Sequence, residues 1–110
     1  MKTLPKINNM EEYDNVIENN DKVIIYWNTK WCPDCFVSRR FMPIIVNDFE
    51  DFEFYQIEKN QNLELAAHLN IYGVPSFLVF VKGVEVGRLV NKRRKSYNEV
   101  KEFIQNTISK

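Results

Sequence analysis

A run of β-branched and aromatic residues, Val23-Ile24-Ile25-Tyr26-Trp27, leads through a short connection into Trp31-Cys32-Pro33-Asp34-Cys35. Together these stretches constrain the fold more than any other part of the chain. A run polar on neither face suits a central strand covered on both sides. The two cysteines, the only ones in the chain, stand three positions apart. One turn of helix starting at Cys32 brings sulfurs at that spacing within disulfide reach. Pro33 falls in the first turn of that helix, where proline is tolerated. A buried strand feeding a helix N-terminus implies a sheet with helices packed on its faces.

The remaining elements follow the same periodicities. After an extended lead-in around Thr3 to Ile7, the residues Met10, Tyr13, Val16 and Ile17 recur at helical spacing, with Asn9 as N-cap and Glu12 as its capping-box acid. The helix after Cys32 has Phe36, Phe41, Ile44, Ile45 and Phe49 as its apolar side, and Pro43 inside it predicts a kink near Arg39 to Met42. Phe52 to Ile57 is a strand, and Leu63, Ala66, Ala67 and Ile71 mark a short helix before Gly73. Ser76–Val81 and Val84–Val90 form a hairpin through Lys82-Gly83. A closing helix begins at Ser96 with the Ser-x-x-Glu box completed by Glu99, and Val100, Phe103, Ile104 and Ile108 point inward. The order predicts an α/β fold, a central mixed β-sheet of about four to five strands flanked by four helices, in a single domain over residues 1–110.

Composition narrows the function. At 110 residues the chain buries a core without needing a covalent clamp, so a purely structural role for the cysteines loses its motive. Lys+Arg 15 against Asp+Glu 15 leaves no net charge to favour nucleic acid or a membrane surface. No apolar run approaches the roughly 18 residues of a membrane span, and Pro5, Lys6, Asn8 and Asn9 interrupt any signal-peptide core near Met1. Cytoplasmic residence is the expectation. There a Cys-x-x-Cys serves catalysis or metal binding rather than structure.

The thiolate is the attacking species, and a Cys at a helix N-terminus gains from unpaired backbone N–H groups and the helix dipole. Cys32 takes that place as nucleophile. Cys35, one turn further in and more buried, is the resolving thiol that attacks the mixed disulfide. Lys30 and the helix end favour the thiolate, whereas Pro33 removes a backbone donor and Asp34 adds a nearby negative charge.

Trp31-Cys-x-x-Cys after an apolar strand, Gly73-Val74-Pro75-Ser76 some forty residues on, and Phe80-Val81-Lys82-Gly83 before the closing strand and helix resemble the thioredoxin family over nearly the whole chain, in the variant with Cys-Pro-Asp-Cys. The resemblance implies a cis Val74-Pro75 bond against the cysteines, strand-like substrate pairing by the Val74 backbone, and a Trp31 that shields the disulfide and lines the contact surface. It implies a thiol-disulfide oxidoreductase with no cofactor or metal beyond the redox-active Cys32-Cys35 disulfide. Its partners would be disulfide-containing proteins, and a thioredoxin reductase or small-thiol system would be the electron donor to a monomer.

The chain departs from the family at several places. Tyr26 stands where thioredoxins place a buried Asp, and the place of its Lys partner falls to Phe54, so the usual proton acceptor for Cys35 is missing and a slower resolving step is expected. Asn91 takes the place of a glycine beside the substrate groove, as a residue tolerant of left-handed backbone. Lys92, Arg93, Arg94 and Lys95 then set four charges on the cysteine rim, either attracting acidic substrates or forming a solvated turn. Pro43 lies further along its helix than the family's proline.

Three other readings compete. A glutaredoxin-like or low-molecular-weight-thiol disulfide reductase would need a Gly-Gly and acid that Gly87-Arg88-Leu89-Val90-Asn91 does not offer. A metal cluster would need more ligands than two Cys and His68 supply within one chain. A non-catalytic peptide-binding module would need no thiols.

Overall fold

Residues 4–109 are described by the computed structural model; Thr3 of the expected lead-in lies outside them. The apolar run forms β1 (Lys22–Asn28), which pairs in parallel with β2 (Glu53–Glu58) and antiparallel with β3 (Ser76–Val81). β3 in turn pairs antiparallel with β4 (Val84–Leu89), giving the order β2-β1-β3-β4. At the β2 edge the described residues of the lead-in add a single bridge, Lys6 to Gln56, and no fifth strand.

Successive side chains of β1 face opposite sides of the sheet. Val23, Ile25 and Trp27 join Tyr13 and Ile17 of α1 (Met10–Asn19) and Leu65 and Ala66 of α3 (Leu63–His68). Ile24 and Tyr26 join Phe41, Met42 and Ile45 of α2 (Pro33–Asp48) and Val100 and Ile104 of α4 (Tyr97–Ile108). Each fully buried aliphatic side chain in these layers is worth about 1.5–3 kcal/mol of transfer free energy. The two-sided burial anchors β1, and with it the loop that delivers Cys32.

Local chemistry sets the helix starts. Asn9 Oδ1 accepts from the Glu12 N–H at 2.9 Å, and Glu12 Oε1 reaches back to the Asn8 N–H at 2.8 Å. Ser96 Oγ accepts from the Glu99 N–H at 3.1 Å. Lys82 and Gly83, both at positive φ, turn the β3–β4 hairpin. On β4, a Cβ added at Gly87 would lie 2.6 Å from Thr107 Cγ2, so the glycine is what lets α4 cross the strand closely.

Helix faces are where the sequence reading needs correction. Phe36 and Ile44, expected on the apolar side of α2, are 59% and 53% exposed. The buried side carries Cys35, Ser38, Phe41, Met42 and Ile45. With about 3.6 residues per turn, a helix that turns Cys35 inward carries residues 36 and 44 to the outer half of its circumference. Met10, Leu63, Ala67 and Ile108 are likewise exposed, near the ends of their helices. α2 continues through Pro43 without interruption.

Candidate active site

β1 ends at Asn28, and the loop from Thr29 to Trp31 brings the chain to Cys32, the N-cap of α2, with Pro33 in the first turn. Both cysteines are free thiols. Cys32 is half-buried, whereas Cys35 is 0% exposed. The Thr29 N–H donates to Cys35 Sγ at 3.4 Å. Burial pushes the Cys35 thiol up to about 12, and the Thr29 donor and the Arg39 charge oppose that rise. The loop is held from two sides. Arg39 Nη1 donates to Asn28 Oδ1 at 3.2 Å and to the Thr29 carbonyl at 3.0 Å, and Nη2 donates to the Lys30 carbonyl at 3.2 Å. From β2, Glu58 Oε1 accepts from the Lys30 N–H at 2.7 Å.

Beneath Cys35, Tyr26 is buried and its hydroxyl lies against Ser38 Oγ. Ser38 Oγ donates to the Cys35 carbonyl at 2.9 Å, and the Tyr26 hydroxyl stands 3.5 Å from the same oxygen. Both hydroxyls therefore serve the Cys35 backbone. Burial raises the Tyr26 phenol above its ordinary range and keeps it neutral. The residue across β2 from Tyr26 is Gln56, which donates to the Leu4 carbonyl at 2.7 Å. Phe54, expected in the lysine's place, stands two pairs earlier on the same face, opposite Ile24. The parallel register decides this, since residues two apart on β2 share a face and only pairing separates them.

Trp31 projects from the rim, 83% exposed, with Lys30 Nζ 5.4 Å from its ring centre. The Val74-Pro75 bond is cis. Gly73, just before it, packs so closely on the next loop that a Cβ there would lie 2.5 Å from the Asn91 carbonyl oxygen. Asn91 itself is absent from the described residues with positive φ, so left-handed backbone is not its reason for being there. Its side chain is: Oδ1 accepts from the Arg93 N–H at 2.9 Å and from Lys95 Nζ at 2.6 Å.

The rim does not carry four free charges. Arg94 Nε donates to Asp34 Oδ1 at 2.9 Å, joining the charge inside the cysteine motif to the loop before α4. Lys95 is 0% exposed. It precedes the Ser96 N-cap, the position from which a side chain packs toward the fourth helical residue, here Val100. Its ammonium finds three oxygens instead of water: Asn91 Oδ1, the Asn91 carbonyl at 3.2 Å and the Arg93 carbonyl at 2.6 Å. Burial lowers its pKa. Lys92 and Arg93 remain exposed.

The family model described as Thioredoxin matches residues 5–106. The chain belongs to the thioredoxin family. It is 22% identical over 88 residues to mitochondrial thioredoxin-3 of Saccharomyces cerevisiae, covering 80% of this chain and 69% of that one. It is 24% identical over 99 residues to a thioredoxin of Mycoplasmoides gallisepticum, covering 90% and 97%. The crystal structure of thioredoxin from Trypanosoma brucei brucei superposes with a TM-score of 0.84 at 16% identity, covering 98% of this chain and 93% of that one. This thioredoxin-family chain is a thiol-disulfide oxidoreductase, with its two cysteines close together at the N-terminus of α2.

Three of its site residues, Thr29, Ser38 and Arg39, escaped the sequence reading. Ser38 carried a signal, lying three positions after Cys35 and so on the same face of the helix. Arg39, four positions after Cys35, carried the same signal; Thr29 carried none, because its contacts join the loop to α2. Among the described residues no three His, Cys, Asp or Glu side chains converge as a metal ion would require, and no helix is long and apolar enough to cross a membrane. His68 is exposed on α3.

Proposed function

We propose that the chain reduces disulfides of proteins, or mixed disulfides, by dithiol exchange, with Cys32 as nucleophile and Cys35 as resolving thiol. The observation that carries this assignment is the asymmetry of the pair: Cys32 is reachable at a helix N-terminus, and Cys35 lies wholly buried behind it with its thiol pushed up to about 12. The Cys32 thiolate attacks one sulfur of the substrate disulfide, whose other sulfur leaves as a thiolate and takes a proton. Cys35 then loses its proton and attacks Cys32 Sγ. A Cys32-Cys35 disulfide forms, and the second substrate thiol is released.

An extended substrate segment would pair with the Val74 backbone beside Pro75, between Trp31 and the Asn91 loop. The half-buried Val74 and the close packing of Gly73 on that loop support this groove. Lys92 and Arg93, exposed and, unlike Arg94, not paired to Asp34, would meet acidic substrate residues there. The oxidised pair would be restored by a thioredoxin reductase or a small-thiol system, and the chain would act as a monomer in a reducing compartment such as the cytosol, with no cofactor other than the cysteine pair. Insulin disulfide reduction, followed by turbidity, tests the roles. Cys32→Ser is expected to abolish activity and Cys35→Ser to accumulate a mixed disulfide with the substrate; activity surviving in Cys32→Ser would overturn the assignment.

A further inference from the structure

Among the described residues no carboxylate or imidazole is hydrogen-bonded to the Cys35 sulfur. The Tyr26 and Ser38 hydroxyls are engaged at the Cys35 carbonyl, and the Asp34 carboxylate is held by Arg94. The resolving step still requires a Cys35 thiolate in a site closed to water, so the thiolate must be stabilised where it forms. Two groups can do this. One is the Thr29 N–H on Cys35 Sγ; the other is the Arg39 guanidinium, four residues after Cys35 and therefore on the same side of α2.

We propose that Arg39 is the positioning residue for the resolving step: its guanidinium locks the Asn28–Lys30 loop so that the Thr29 N–H stays on Cys35 Sγ, and it holds a fixed positive charge beside the thiolate as that forms. This rests on the roles given above to Cys32 and Cys35. Three hydrogen bonds from one planar fork span Asn28 Oδ1, the Thr29 carbonyl and the Lys30 carbonyl. A lysine, with a single point of charge, cannot reproduce that geometry. The donor on the sulfur and the clamp on the loop share one residue, Thr29, whose N–H faces Cys35 and whose carbonyl faces Arg39. The Arg39 charge also acts against burial at the Cys35 thiol.

With Cys35 shut off from water, its proton goes to the acceptor already described, the substrate thiolate that leaves Cys32. Electrons balance as in any exchange, with the Cys35–Cys32 bond formed and the Cys32–substrate bond broken. The charged and titratable groups around Cys35 are Tyr26 from β1, Cys32 and Arg39 from α2, and Lys95 from the loop before α4.

The test uses the aromatic disulfide 5,5′-dithiobis(2-nitrobenzoate) with the reduced protein in a stopped-flow instrument. The first release of chromophore reports attack by Cys32 and the second reports resolution by Cys35. In Arg39→Met the second phase should slow about tenfold or more, with its pH profile moved to the alkaline side, since one pKa unit is a tenfold change in thiolate. The first phase should stay within about twofold, as Cys32 keeps its helix N-terminus. Arg39→Lys, which keeps the charge and loses the fork, should fall between Arg39→Met and wild type. A second phase in Arg39→Met with wild-type rate and pH profile overturns the proposal, as does equal slowing of both phases, which marks a merely structural residue. Loss of the first phase in Cys32→Ser and of the second in Cys35→Ser upholds the underlying roles; a first phase surviving in Cys32→Ser removes them and the proposal together.

Discussion

At the scale of single residues, the site is organised by what each polar group lacks. Among the described residues the Thr29 N–H is the backbone donor on the Cys35 sulfur, and it and the Arg39 charge do not offset burial, which lifts the thiol from 9.0 to about 12. A thiol whose pKa is higher folded than unfolded adds stability that is complete below about pH 9 and is lost as pH rises toward 12. Urea denaturation of the protein and of Cys35→Ala, both under reductant, should therefore show the stability gap between them shrinking by about 2 kcal/mol between pH 8 and pH 10.5. Tyr13 and Tyr26, also raised by burial, weaken both proteins alike over this range and cancel in the comparison. A gap independent of pH would mean that the folded thiol ionises as readily as the unfolded one. Lys95 is the opposite case, a buried cation whose three donors are all met by loop oxygens, so that it fastens the Asn91 loop instead of charging the rim.

At the scale of elements, the contact between β4 and α4 depends on the absence of a methyl group. A Cβ on Gly87 would fall 2.6 Å from Thr107 Cγ2 and 2.7 Å from Thr107 Oγ1. Thr107 has little room to give, because its hydroxyl donates to the Phe103 carbonyl at 2.8 Å. Gly87→Ala should cost about 1–3 kcal/mol, the usual range for overpacking. Combining it with Thr107→Ala should recover most of that loss, a coupling that a double-mutant cycle in urea reads directly. Strict additivity of the two changes would mean that the helix shifts away from the strand instead. Capping chemistry was legible from the chain alone: Asn9 with Glu12, and Ser96 with Glu99, act at separations of three and four residues. The outward turn of Phe36 and Ile44 was not, because both cysteines and the aromatic residues offered candidate apolar faces, and only packing on the sheet chose between them.

For the molecule as a whole, β1 lies inside the sheet and under helices on both faces, while β4 is an edge strand with mostly exposed side chains. Amides of Ile24, Ile25 and Tyr26 should exchange with solvent only through global unfolding, whereas β4 amides without a ladder partner should exchange through smaller openings. Hydrogen exchange read by NMR checks this; equal protection across the sheet would contradict it. The same architecture explains how far the sequence reached. By itself the sequence determined the element order, the helix starts, the mixed sheet and the Cys32-Cys35 pair, because these depend on side-chain periodicity and capping over a few residues. Tertiary structure alone decided which charges stay free. Asp34 meets Arg94 across sixty positions of chain, Arg39 reaches from α2 back to the Asn28–Lys30 loop, and Lys95 turns inward beneath Asn91. Such pairings depend on the path the folded chain takes between distant segments, which short-range spacing does not encode.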